Sequence, residues 1–315
     1  MSFRYWALLT DLKRHYISLT EGKSHCEAVS LKINCPFSNF LNILSTNKVG
    51  IDAIGELQMA DSTSAPQGNP GDILNWPMLK VNYRTDAECI AKLLPPGLSV
   101  GAEPIVRLTF YNFPVQGEPE YGIVINVDAD YEGEAGEYCL GFGIDQEQAI
   151  FISREKTGQP KFPAETSYYR LMNYISAKTT HQGHTFAEFK GEVVGVEDNG
   201  PEFEQNEWWI KCSRAVDDQP ESYDFPPHVV KVFTKYGTAY KEKVQGQLIL
   251  RDSAWDPIAS QLPMREQLDA YLWTPIFLDR KITLEGALDP KGFWPFADTI
   301  GGSRWLGDQG GPKKS

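Results

Sequence analysis

The chain has no apolar run near the roughly 20 residues that a membrane-spanning helix requires, and its N-terminus has no continuous apolar segment followed by a cleavage site. Cysteine is sparse. Cys26, Cys35, Cys89, Cys139 and Cys212 form an odd set without C-x-x-C spacing, which supports neither a disulfide framework nor a thiolate zinc site. No Lys/Arg-rich stripe is present, and the net charge of −12 with a pI near 5.0 argues against nucleic acid or an anionic membrane surface as partner. A small anionic substrate stays admissible if its pocket is locally neutral or basic. Phosphate-cradling G-x-G-x-x-G and G-x-x-x-x-G-K-[ST] loops are missing, as is a G-x-S-x-G elbow, so dinucleotides, nucleoside triphosphates and serine hydrolysis lose ground. A soluble, cytoplasmic protein is expected, with no cofactor and no metal.

What the chain does have is length, aromatics and turns. Its 315 residues, 12% aromatic with 21 prolines, fit a strand-rich domain better than a helical bundle. Residues 1–58 hold no hydrophobic period for long, and Met59 opens a polar Ser/Pro/Gly stretch. A small extra subdomain and an extension from too early a start codon are the two readings, with the second preferred. The expected organisation is an N-terminal extension over 1–75, disordered or foreign to the native chain, a folded domain over 76–300, and a flexible tail over 301–315.

Within that domain "MLKVNYR" (78–84) reads as a strand, and "TDAECIAKLLPPGL" (85–98) as a short helix that Thr85 can cap and Pro95–Pro96–Gly97 stops. Strand-like runs follow at "PIVRLTFYNF", "YGIVINVD", "GEYCLGFG" and "QAIFIS". Later ones are "TFAEFKGEVVGV", "NEWWIKCS", "HVVKVFTKY", "KVQGQLIL" and "KITLEGAL". So many strands at short spacing predict a mostly β (α+β) fold, its antiparallel sheets closed into a barrel or sandwich with a few short helices.

Two clusters invite a metal and fail. His181, His184 and Glu188 lack the H-E-x-x-H arrangement and sit in a strand-like segment. The acidic run "VDADYEGEAGE" (127–137) misses calcium-loop spacing and reads as a solvated hairpin.

The stretch "AIFISREKTGQPK" carries more. An apolar run, then Arg154 and Glu155, then Pro160 before Lys161, resembles the lysine motif of the acetoacetate decarboxylase family. The segments "VNYRTDAECIAKLLPPGL", "AEPIVRLTFYNFP", "FPPHVVKVF" and "DSAWDP" are similar to further family segments in the same order, from about Pro77 to about Leu288. The resemblance implies a closed, cone-like β-barrel, homo-oligomeric assembly and a small carbonyl compound as substrate. Lys161 would form a Schiff base and Glu120 would act as acid/base or orienting group.

A lysine at its reference pKa of about 10.4 is on the order of 0.04% neutral at pH 7, so such an amine must be activated. That activation is a property of the family, not a reading of this sequence. Three positions depart from the pattern. Phe162 replaces a second lysine, while Trp76 and Thr109 fall near a family arginine and glutamate. With Arg154 these complete the expected substrate pocket: Phe162, Thr109, Trp76 and Arg154. The "AIFI" run is expected to surround Lys161 as a buried strand. The lost charges predict a more apolar keto substrate than acetoacetate, converted by decarboxylation or by aldol or dehydration chemistry through the same imine. The alternative is a barrel that binds a small ligand without catalysis.

Overall fold

A computed structural model describes residues 77–115, 118–217, 219–297 and 305. The expectations for residues 1–75, including Trp76 next to them, lie outside the described residues.

Twelve strands dominate: β1 (Met78–Arg84), β2 (Leu98–Val100), β3 (Ile105–Val115), β4 (Glu118–Tyr131), β5 (Glu134–Ile144), β6 (Lys161–Pro163), β7 (Glu165–Leu171), β8 (Tyr174–His181), β9 (His184–Glu197), β10 (Phe203–Arg214), β11 (Tyr223–Leu250) and β12 (Glu266–Ala287). Four short helices join them: α1 (Ala87–Leu93), α2 (Glu147–Thr157), α3 (Ile258–Gln261) and α4 (Pro290–Ala297). No helix among the described residues is long and apolar enough to cross a membrane.

The sheet runs β10-β5-β4-β3-β1-β12-β11-β9-β8-β7, and β10 also pairs with β11. That extra pairing closes β10, β5, β4, β3, β1, β12 and β11 into a ring, which removes the edges an open sheet would expose. The ring is not wholly antiparallel, because β5 pairs in parallel with both β10 and β6. The two separate runs "HVVKVFTKY" and "KVQGQLIL" are one strand, β11, whose second half leaves the ring to carry β9, β8 and β7.

Period-two alternation gives each ring strand two different faces. In β1, Leu79, Val81 and Tyr83 are fully buried in the main core, as are Val106 and Leu108 of β3 and Ile123 and Val127 of β4. This core lies outside the ring, beneath α1, α3, α4 and strands β8 and β9, which add Ile90, Phe186, Phe189, Ile258 and Phe293. Each fully buried aliphatic or aromatic side chain contributes about 1.5–3 kcal/mol relative to exposure. Trp305, in the segment expected to be a flexible tail, is buried in the same core, and its Nε1 donates to Asp256 at 3.3 Å.

The opposite face of the same strands points into the ring. There a bulge decides one side chain. Ile125 of β4 pairs with Gly141, but Asn126 pairs with Cys139, so Leu140 is the extra residue on β5. Cys139 and Phe142 thereby both face inward, although they are three residues apart.

The "AIFI" run is helix, not strand. It lies in α2, where Ile150 is buried but Phe151 and Ile152 are 63% and 60% exposed. A four-residue apolar run does not separate the two states. The deciding signals were Arg154 and Lys156 in the last turn and Gly158 after it. Gly158 takes φ 72°, and a Cβ there would overlap the Ile210 carbonyl oxygen. In α1 the N-cap is Asp86, not Thr85, and Arg265 holds the Asp86 carboxylate at 2.7 Å.

Candidate active site

Strand β5, helix α2 and the three-residue strand β6 form one crossover that delivers Lys161. The αL turn at Gly158 ends α2, and Phe142 N donates to Pro160 O at 3.0 Å, docking β6 alongside β5 with Lys161 opposite Phe142. Arg154 Nη1 donates to the Lys161 carbonyl at 3.0 Å, so the last turn of α2 grips the backbone that bears the amine.

The Lys161 side chain enters the ring and is 7% exposed. Its Nζ donates to Glu120 Oε2 at 3.3 Å and lies 5.3 Å from the centroid of the Phe142 ring. Glu120, 3% exposed, accepts a second bond at Oε1 from the Tyr111 hydroxyl at 2.7 Å. Burial, then the Glu120 charge and that bond, push the Tyr111 phenol well above its usual range, so it remains a donor. Gly122 makes room for it, because a Cβ there would lie 2.5 Å from the Tyr111 hydroxyl oxygen. Lys161, Glu120 and Tyr111 thus form one hydrogen-bonded chain.

Glu120 and Tyr111, with Lys161 behind Glu120 and Phe142, border a cavity of about 170 Å³ lined from every strand of the ring, by Lys80, Thr109, Glu120, Phe142, Glu207, Tyr236 and Trp273 among others. Its wall is amphipathic. Arg107 clasps Asp128 through Nε and Nη2 at 2.6 and 2.8 Å and pairs with Glu137 at 3.3 Å. Asn126 donates to both Glu137 and Glu207, at 2.7 and 2.9 Å, and Trp209 Nε1 also donates to Glu207. Burial raises the Glu207 carboxyl above its usual range, and Asn126 counters in part. The acidic hairpin is therefore not wholly solvated: its tip at Glu132–Gly133 turns in solvent, while Asp128 and Glu137 point inward to Arg107.

The structure brings together three of the residues singled out from sequence. Lys161 and Glu120 are in contact, and Thr109 lines the same cavity. Phe162 does not join them. Alternation along β6 turns it into the outer core, where its ring packs against His181 at 5.1 Å. The apolar neighbour of Lys161 is Phe142 instead. Arg154 lies on the far side of β6, beside a different cavity with Glu155, Ile210 and Cys212, and supports the lysine from behind. Trp76 is outside the described residues.

Sequence reasoning missed Tyr111, Phe142 and Lys80. Tyr111 had a signal: it lies two positions from Thr109 in a strand and so shares its face. Phe142 had none, since the bulge at Leu140 shifts its phase. His181 and Glu188, the would-be metal ligands, are engaged elsewhere. His181 Nδ1 bonds Asp256 at 2.6 Å, and Glu188 pairs with Lys190 and Arg251.

Comparison with known proteins accords with this arrangement. The family model "Acetoacetate decarboxylase (ADC)" matches residues 58–287, most of the chain. The chain belongs to the acetoacetate decarboxylase family. An acetoacetate decarboxylase of Clostridium botulinum is 32% identical over 100 residues, covering 30% of this chain and 39% of that protein. One of Streptomyces nogalater is 35% identical over 103 residues, covering 32% and 41%. These matches span about two-fifths of the curated relatives' length. In structure, an acetoacetate decarboxylase superposes with a TM-score of 0.58 at 18% identity, covering 68% of this chain and 88% of that one. The enduracididine biosynthesis enzyme MppR, complexed with the condensation product of pyruvate and imidazole 4-carboxaldehyde, gives 0.53 at 15% identity, covering 70% and 92%. At these identities the structural likeness is one of fold.

Proposed function

We propose that the protein is a Schiff-base enzyme acting on a keto acid through Lys161. The observation that carries this reading is a buried amine bonded to a buried carboxylate that lines a cavity inside the ring.

The chemistry can be followed atom by atom. Glu120 takes a proton from Lys161, and the freed electron pair of Nζ attacks the substrate carbonyl carbon. A second proton passes from Nζ to the former carbonyl oxygen to give a carbinolamine, whose hydroxyl leaves as water with the proton returned by Glu120, giving an iminium ion. The positive nitrogen then accepts the electron pair of an adjacent breaking bond. If that bond joins a carboxylate, CO2 departs and an enamine remains. Protonation of the enamine carbon and addition of water release the product and restore the amine. Tyr111, fixed as a donor, holds Glu120 in one rotamer throughout.

The same enamine can instead attack a second carbonyl compound, forming a carbon–carbon bond. A fold neighbour named for complexes with pyruvate and a condensation product supports keeping that course beside decarboxylation. Borohydride reduction in the presence of candidate keto acids tests the reading, because only an imine becomes a stable secondary amine. A keto-acid screen for CO2 release then separates the two courses.

A further inference from the structure

The cavity holds a second amine that the scheme above does not use. Lys80 of β1 alternates with Leu79 and Val81, which are buried on the outer face, so its side chain points into the ring. The sheet register puts it in one row with Lys161. Lys161 pairs with Phe142, Phe142 with Val124, Val124 with Thr109 and Thr109 with Lys80. Four strand steps of about 4.8 Å separate the two lysines along the wall. Phe142, Val124 and Thr109, the residues between them in the row, line the same cavity as Lys80 and as Glu120, the partner of Lys161.

Arg280 also lines the cavity, but from an exposed position, and the interior carboxylates are engaged. Asp128 and Glu137 are held by Arg107, Glu207 by Asn126 and Trp209, and Asp269 by Asn82 at 2.8 Å. Lys80 is different. Its Nζ stands 5.6 Å from the centroid of the Trp273 indole, and it forms no ion pair with any described carboxylate. Burial lowers its pKa, Glu137 and Glu207 oppose that from a distance, and Arg107 adds to it. Lys80 and Trp273 also line a second cavity of about 480 Å³, which reaches the loop Asp198–Pro201. The amine therefore stands where the small cavity beside Glu120 meets a larger space.

Building on the Schiff-base reading, we infer that Lys80 anchors an anionic group of the substrate that the reaction leaves in place. The substrate class is a carbonyl compound bearing a carboxylate beyond the carbons at which Lys161 acts. A cation on the carboxylate that departs would oppose its loss, since that charge disperses as CO2 forms and the ground state would gain more than the transition state. A retained carboxylate has no such conflict, and pairing with it gives a half-buried ammonium the partner it lacks. The cation expected to be missing near Trp76 is thus supplied from β1, and the apolar substrate expected from sequence gives way to an anionic one.

The test compares 4-oxopentanoate and 5-oxohexanoate with their methyl esters, reading borohydride-trapped adduct by peptide mass. The acids should label Lys161 at concentrations on the order of tenfold or more below the esters. Lys80→Met should erase that ratio by weakening the acids alone, and Lys80→Arg should retain most of it. Unchanged ester labelling in Lys80→Met reports an intact site. An acid-to-ester ratio that survives Lys80→Met, or label on Lys80 itself, would overturn the inference. Absence of any Lys161 adduct would overturn the Schiff-base reading instead. Calorimetric binding of the same acids and esters to Lys161→Met then decides the anchor separately: a preference for acids that Lys80→Met removes supports it, and no preference contradicts it.

Discussion

Glu120 is the hinge of the site at the scale of single residues, because it hydrogen-bonds both Lys161 and Tyr111. Glu120→Gln keeps the shape and removes the proton acceptor. Turnover should fall about 10²–10⁴-fold, the usual share of a general acid/base, with little change in melting temperature. Tyr111→Phe removes only the orienting bond and should cost less, on the order of tenfold in kcat. A Glu120→Gln enzyme with unimpaired kcat would remove Glu120 from the mechanism. Lys80 allows a prediction about stability. Its folded pKa lies below the unfolded value of about 10.5, so between those two values the unfolded chain binds more protons. Its contribution therefore opposes folding at neutral pH, and the penalty fades as pH rises toward the unfolded value. Lys80→Met should raise the melting temperature at pH 7, and by less at pH 10. Differential scanning calorimetry at both pH values checks the sign.

The crossover β5–α2–β6 is the element on which the site depends, and Gly158 is its critical joint. A residue with a Cβ at φ 72° is strained, and here it would also meet the Ile210 carbonyl. Gly158→Ala should destabilise the fold by about 1–3 kcal/mol and slow imine formation as β6 shifts, readable by melting and by single-turnover trapping. Gly122→Ala should displace the Tyr111 hydroxyl and also press on the Gly143 carbonyl, so it should lower both stability and kcat, readable by melting and by steady-state kinetics. The elements also show where the sequence was legible. Strands such as β1, β3 and β9 announced themselves by alternation, and the Pro-Lys pair led to the amine. Helix α2 did not, because "AIFI" is too short to display a period. Lys80 was passed over for another reason. Polar residues alternating with Leu79 and Val81 look like a solvent face, and only closure of the ring makes that face an interior.

Closure governs the whole molecule. Apolar residues cover the outside of the ring, so charged residues can fill its inside without leaving the fold short of a core. Part of the outer surface remains apolar, with Leu278, Ile282 and Leu284 of β12 exposed at 42%, 45% and 54%. Assembly into a homo-oligomer, proposed from the family resemblance, would cover such a stretch. Light scattering should then give a multiple of the 35.4 kDa chain mass, and a monomer across the micromolar range would contradict it.

The proposed chemistry turns on an imine between Lys161 and the substrate carbonyl. Incubation of the protein with keto acids and borohydride, followed by peptide mass mapping, tests it most directly. One reduced adduct is expected, on Lys161, and it disappears in a folded Lys161→Met variant. A folded Lys161→Met protein that still forms the covalent adduct, or a wild-type protein whose label falls on another residue, would contradict it.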